Sequence, residues 1–61
     1  MPEVYVYALA GRTAEQKKAL CTDITEAVAR HFGSPASAVT VQIVEAAADS
    51  KSKGGKMFSE M

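Results

Sequence analysis

The chain has one cysteine, one histidine and no tryptophan. A lone thiol, Cys21, excludes a disulfide framework within the chain. The single histidine, His31, has no second ligand at metal spacing, which argues against a structural zinc. Charge of one sign is not in excess either. Seven basic and seven acidic residues cancel, so the basic footprint of a nucleic-acid binder is missing. No apolar run approaches the roughly 20 residues of a membrane span. Glu3 and the alternating residues after it do not make a signal peptide. The expected setting is cytoplasmic, where an unpaired thiol stays reduced, and no metal or cofactor is implied.

What remains is short and apolar. Residues 1–61 are read as a single domain, and a chain this short buries only about 60% of its unfolded surface. Scaffolds of this size need a disulfide, a metal or partner subunits. A disulfide is excluded and a structural metal is argued against, yet 48% of the residues are apolar, too many for so small an interior. Self-association is the remaining device.

Residues 3–9, Glu-Val-Tyr-Val-Tyr-Ala-Leu, are rich in β-branched and aromatic types and predict a strand. Alternation puts Val4, Val6 and Ala8 on one face and Glu3, Tyr5, Tyr7 and Leu9 on the other. Ala10-Gly11-Arg12 turns the chain, and Thr13 with Gln16 reads as a capping box. From Ala14 to about Phe32 the spacing is helical. Leu20, Ile24, Ala27, Val28 and His31 form the apolar stripe, with Lys17, Lys18, Asp23, Glu26 and Arg30 largely outside it. Glu26 and Arg30 are placed for an i,i+4 ion pair. Gly33 suits a left-handed cap, and Pro35 forbids continuation. Val39 to Glu45 alternates again as a second strand, with Thr40, Gln42 and Val44 opposite the apolar face.

Strand, helix and strand with short connections make a βαβ unit with two parallel strands and one crossover helix, an α+β fold. The helix covers one sheet face. The other, carrying Tyr5, Tyr7, Thr40 and Gln42, has nothing left in the chain to cover it, so a second copy must. Residues 46–61 change to Ser, Lys and Gly, a mobile loop or short hairpin around Gly54-Gly55. Met57 and Phe58 are candidates to dock on a neighbouring subunit.

Taken in order, several elements carry a resemblance. They are Met1-Pro2 directly before a strand, Gly11-Arg12-Thr13 opening the helix, and Glu15-Gln16-Lys17 in its first turn. The Ser34-Pro35 break, the strand Val39–Glu45 and the late Gly54-Gly55 complete the series. Over nearly its whole length the chain resembles the short 4-oxalocrotonate-tautomerase-like branch of the tautomerase superfamily. That resemblance implies βαβ subunits in dimers and trimers of dimers, sheets inside and helices outside. It implies an isomerase moving a proton between oxygen and carbon of an enol or dienol carboxylate, without a cofactor.

The resemblance makes Pro2 the catalytic base, after removal of Met1 exposes its secondary amine. An α-amino group titrates near 7.7–8.0, and burial or a nearby cation lowers it further. A base near the working pH is what proton transfer beside a carbonyl needs. Arg12, just before a helix N-terminus, is the expected carboxylate ligand, on grounds of both helix dipole and guanidinium geometry. A strand rising about 3.3 Å per residue separates it from Pro2 by some 20–25 Å, so the two can meet only between subunits. Leu9 is expected to form an apolar wall of the pocket. Relatives of this type carry a second arginine where this chain has Thr40, and a late-loop aromatic where it has Lys51. Thr40 offers a hydroxyl without charge, which puts activity on the usual diacid in question. Lys51, Lys53 or Lys56 is a candidate replacement cation.

Tyr5 and Tyr7 are read as packing between subunits, Cys21 as helix packing, and His31 as a dipole-stabilised cap. Two rivals stand beside the isomerase. One is a non-catalytic or complementary subunit of a hetero-oligomer, with an unlike partner supplying the missing arginine. The other is a lyase or hydratase using the same proline.

Overall fold

The structure, a computed structural model, describes residues 1–61. Strand β1 (Glu3–Leu9) leads into helix α1 (Ala14–Phe32), which returns the chain to strand β2 (Thr40–Ala46). The two strands are parallel, with Glu3 opposite Thr40 and Leu9 opposite Ala46. A hairpin of β3 (Ser52–Lys53) and β4 (Lys56–Met57) follows. Single 3-10 turns at Ala36–Ala38, Ala48–Ser50 and Phe58–Glu60 join and end these elements.

Local chemistry sets the helix limits. Thr13 Oγ1 accepts the Gln16 N–H at 3.1 Å, and Gln16 Oε1 accepts the Thr13 N–H at 3.0 Å. This closes the anticipated capping box. At the other end Gly33 adopts a φ of 68°, a left-handed conformation that costs glycine little. The hairpin reverses through Gly54 and Gly55, both at positive φ, as a two-residue turn matched to strand twist requires. A hairpin, rather than a mobile loop, is what the Gly-Gly pair encodes.

Several expectations need correction. β2 begins at Thr40, because the Val39 N–H is used to close the preceding turn on the Ala36 carbonyl at 3.1 Å. Glu26 and Arg30 form no ion pair; the chain's sole salt bridge joins Lys17 of α1 to Glu45 of β2. The covered stripe of α1 keeps Ile24, Ala27 and Val28 and gains Lys17 and Cys21, whereas His31 is exposed and Leu20 is 43% exposed.

Alternation along the strands holds. Val4, Val6 and Ala8 of β1 and Val41 and Ile43 of β2 are half-buried, while Tyr5, Tyr7, Thr40 and Gln42 are exposed. Not one of the 61 residues is fully buried. The accessible surface is 4585 Å² for 6.4 kDa, where a folded monomer of that mass exposes about 3,800 Å². The radius of gyration is 14.5 Å, against about 10.5 Å for a compact chain of this length. A single copy therefore closes no core of its own. No helix is long and apolar enough to cross a membrane.

Candidate active site

The parallel register divides the candidate residues between two ends of the sheet. At one end Pro2 is half-buried and its carbonyl accepts the Thr40 N–H at 3.0 Å. Thr40 faces Glu3 across the strands, so it sits next to Pro2 and beside a carboxylate. The Glu3 carboxylate in turn accepts the Tyr5 hydroxyl at 2.9 Å. That bond, reinforced by the negative charge of Glu3, raises the Tyr5 phenol above its ordinary value of 10.0. The phenol stays neutral and is committed to Glu3, which suits packing better than acid–base work.

At the opposite end, Arg12 occupies the turn between β1 and α1. The turn is pinned on one side by the Ala10 N–H on the Ala46 carbonyl at 2.9 Å. The capping box pins it on the other. The Arg12 guanidinium donates to the Leu9 carbonyl at 3.3 Å, a long bond to a neutral acceptor that leaves its charge uncompensated. An open cleft of about 180 Å³ lies here, lined by Leu9, Arg12, Lys17, Leu20, Ile43 and Glu45 among others. Leu9 belongs to this cleft although alternation assigns it to the uncovered face, because β1 ends there and the backbone bends at Ala10.

Seven strand residues separate Pro2 from the Arg12 turn, about 23 Å at the rise of an extended chain. One copy thus brings Pro2 to Thr40 and Arg12 to Leu9, and does not bring the two pairs together. Lys51 lies apart from both, immediately before the hairpin. Its ammonium sits 5.5 Å from the Phe58 ring centroid, and its carbonyl accepts the Phe58 N–H at 2.9 Å. The lysine is held rather than free-swinging.

The parallel βαβ fold is shared with known proteins. The profile of the family described as tautomerase enzyme matches residues 2–61. The chain belongs to the tautomerase family. A probable tautomerase of Bradyrhizobium diazoefficiens is 48% identical over 60 residues, covering 98% of this chain and 90% of that protein. The 2-hydroxymuconate tautomerase of Pseudomonas putida is 34% identical over 61 residues, covering 100% and 97%. A crystal structure of a 4-oxalocrotonate tautomerase homologue superposes with a TM-score of 0.94 at 34% identity, covering 100% of this chain and 97% of that one. As a tautomerase the protein is an isomerase, an enzyme that relocates a proton within its substrate.

The residues missed by sequence reasoning in this tautomerase are Lys17 and Glu45, bonded at 2.9 Å. Their signal was present. Glu45 shares the parity of Val41 and Ile43, so it points to the helix-covered face. Lys17 stands at helical spacing from Cys21, Ile24 and Val28. Two opposite charges on facing apolar surfaces need one another.

Proposed function

We propose that this tautomerase interconverts the enol and keto forms of a 2-hydroxy-enol carboxylate, with Pro2 as base and acid. Removal of Met1 leaves the ring nitrogen as a secondary amine. It takes the enol hydroxyl proton as the carbonyl forms, and the resulting ammonium returns a proton to a carbon of the conjugated chain. The substrate loses and gains one proton, so no co-reactant is needed.

The observation that carries this reading is the separation of Pro2 from Arg12 in a chain with no buried residue. Closing the uncovered sheet face with a second copy completes a core, and assembly of copies gives Pro2 of one chain access to Arg12 of another. The excess accessible surface is close to the roughly 800 Å² that each partner gives to a standard interface. We read residues 1–61 as one tautomerase-like domain and the working form as a trimer of dimers.

In that assembly Arg12 of the neighbouring copy grips the substrate carboxylate in two-point contact. Its positive charge also lowers the affinity of the Pro2 amine for a proton, which keeps a base of reference pKa about 7.7–8.0 free at neutral pH. Leu9 walls the pocket, excluding water from the enolate. The Thr40 hydroxyl offers a hydrogen bond where a second charge is absent, and Lys51 is the remaining cation for a distal carboxylate. The Pseudomonas relative named for 2-hydroxymuconate supports an enol acid as the substrate class.

The test is the chemical state of the first nitrogen. Intact mass of the purified protein is expected to show Met1 removed, and ketonisation of 2-hydroxymuconate, followed by its ultraviolet absorbance, is expected to be enzyme-dependent. A chain bearing several added residues before Pro2 turns that nitrogen into an amide and is expected to lose at least about a hundredfold in kcat, the lower bound of the general acid–base range. Full activity with an amide at Pro2 would rule out the proline mechanism.

A further inference from the structure

The cleft beside Arg12 contains two cations and one carboxylate: Arg12, Lys17 and Glu45. Lys17 Nζ lies 2.9 Å from Glu45 Oε1, and this is the only salt bridge in the chain. It spans 28 residues of sequence, joining the first turn of α1 to the end of β2. Arg12 has no carboxylate partner and makes only its 3.3 Å bond to the Leu9 carbonyl.

We propose that Lys17 is a positioning residue whose task is to hold the Glu45 carboxylate away from Arg12. Glu45 points into the helix-covered side of β2, where an unpaired carboxylate seeks the nearest cation. With Lys17 in place that cation is its own partner, and the guanidinium keeps its charge for an incoming carboxylate. Without Lys17, Arg12 is the one other cation lining the cleft. An intramolecular Arg12–Glu45 pair would then compete with substrate at every encounter. The helix register explains why Lys17 can do this: it lies one turn beyond the Thr13 cap, and its N–H closes on the Thr13 carbonyl at 3.1 Å. The same turn that ends at Arg12 thus fixes the residue that keeps Arg12 unpaired.

This inference rests on the reading of Arg12 as the carboxylate ligand, and the experiment separates the two. Steady-state kinetics with 2-hydroxymuconate are measured for Lys17→Met, Glu45→Gln, the double variant, and Arg12→Gln. Lys17→Met is expected to raise KM about three- to fivefold, the scale of one partly exposed ion pair, with little change in kcat. Adding Glu45→Gln removes the competitor and is expected to return KM to the wild-type value. The Lys17→Met defect is expected to shrink as salt is raised, since screening weakens the competing pair. A brace that merely holds α1 against β2 predicts the reverse: the double variant stays impaired, and salt does not rescue it. Either result, or an unchanged KM in Lys17→Met, overturns the proposal. If Lys17→Met fails to assemble, Glu45→Gln alone decides, because the brace predicts a raised KM and the competitor predicts a KM at or below wild type. An Arg12→Gln variant with unchanged KM would instead remove Arg12 from the site, whatever Lys17 does.

Discussion

In the proposed reaction, Thr40 is the residue on which substrate choice turns. Its backbone is tied to Pro2 and its side chain faces outward beside Glu3, so the immediate charge near the proline is negative. On that proposal, a dicarboxylate brought to Pro2 by Arg12 has its far end unopposed by any fixed cation at position 40. Thr40→Arg places a guanidinium there. Its expected effect is a rise of about a hundredfold in kcat/KM for 2-hydroxymuconate, the lower end of what one charge-stabilising donor is worth. A monocarboxylate enol such as phenylenolpyruvate is expected to gain far less. Comparing kcat/KM for the two substrates checks this; an equal gain on both would mean that position 40 does not face the second carboxylate. Pro2, Arg12 and Thr40 were legible as candidates through the resemblance, which assigns a role to each position; the pattern of the elements shows only where they lie. Lys51 was legible only as a position. Its grip on Phe58 depends on the hairpin bringing residues seven apart in sequence together, which spacing alone does not reveal.

At the scale of elements, boundaries followed the chemistry of single side chains. The capping box and Gly33 could be read directly, because they act within four residues of themselves. The start of β2 could not, since Val39 is a good strand residue whose N–H is diverted to a turn. The Lys17–Glu45 link lay hidden for a related reason. A lysine and a glutamate read as solvated until both parent elements are given a common interior face. Helix and site are coupled here, because the Thr13 cap immediately follows Arg12. Thr13→Ala removes the acceptor for the Gln16 N–H and is expected to cost about 1 kcal/mol of stability. It is also expected to raise KM by loosening the turn that presents Arg12, leaving kcat within about twofold, as loss of uniform binding does. Urea unfolding at fixed protein concentration measures the first effect and steady-state kinetics the second. A stability loss with KM unchanged would show that the cap serves the helix alone.

The whole molecule is defined by what one copy cannot do. It exposes Tyr5 at 51% and Tyr7 at 73% on an uncovered sheet face, spreads over 42 × 23 × 13 Å, and buries no residue. Its thinnest dimension is that of one helix laid on one sheet, with nothing on the far side. The parallel register keeps Pro2 and Arg12 at opposite ends of every copy, so the proposed reaction needs assembly for its chemistry as well as for packing. Complementation tests this directly. One parent carries added residues before Pro2, so that it has Arg12 but no basic amine; the other carries Arg12→Gln, so that it has the amine but no carboxylate ligand. Each alone is expected to be nearly inactive. Unfolded together and refolded as an equal mixture, they pair an intact Pro2 with an intact Arg12 at about a quarter of the sites, since subunits related by closed symmetry combine at random. Activity near one quarter of wild type is the expected result. An inactive mixture, in assemblies that native mass shows to contain both parents, would mean that Pro2 and Arg12 serve the reaction from the same chain, whereas a parent active by itself would mean that the residue altered in it does not serve the reaction.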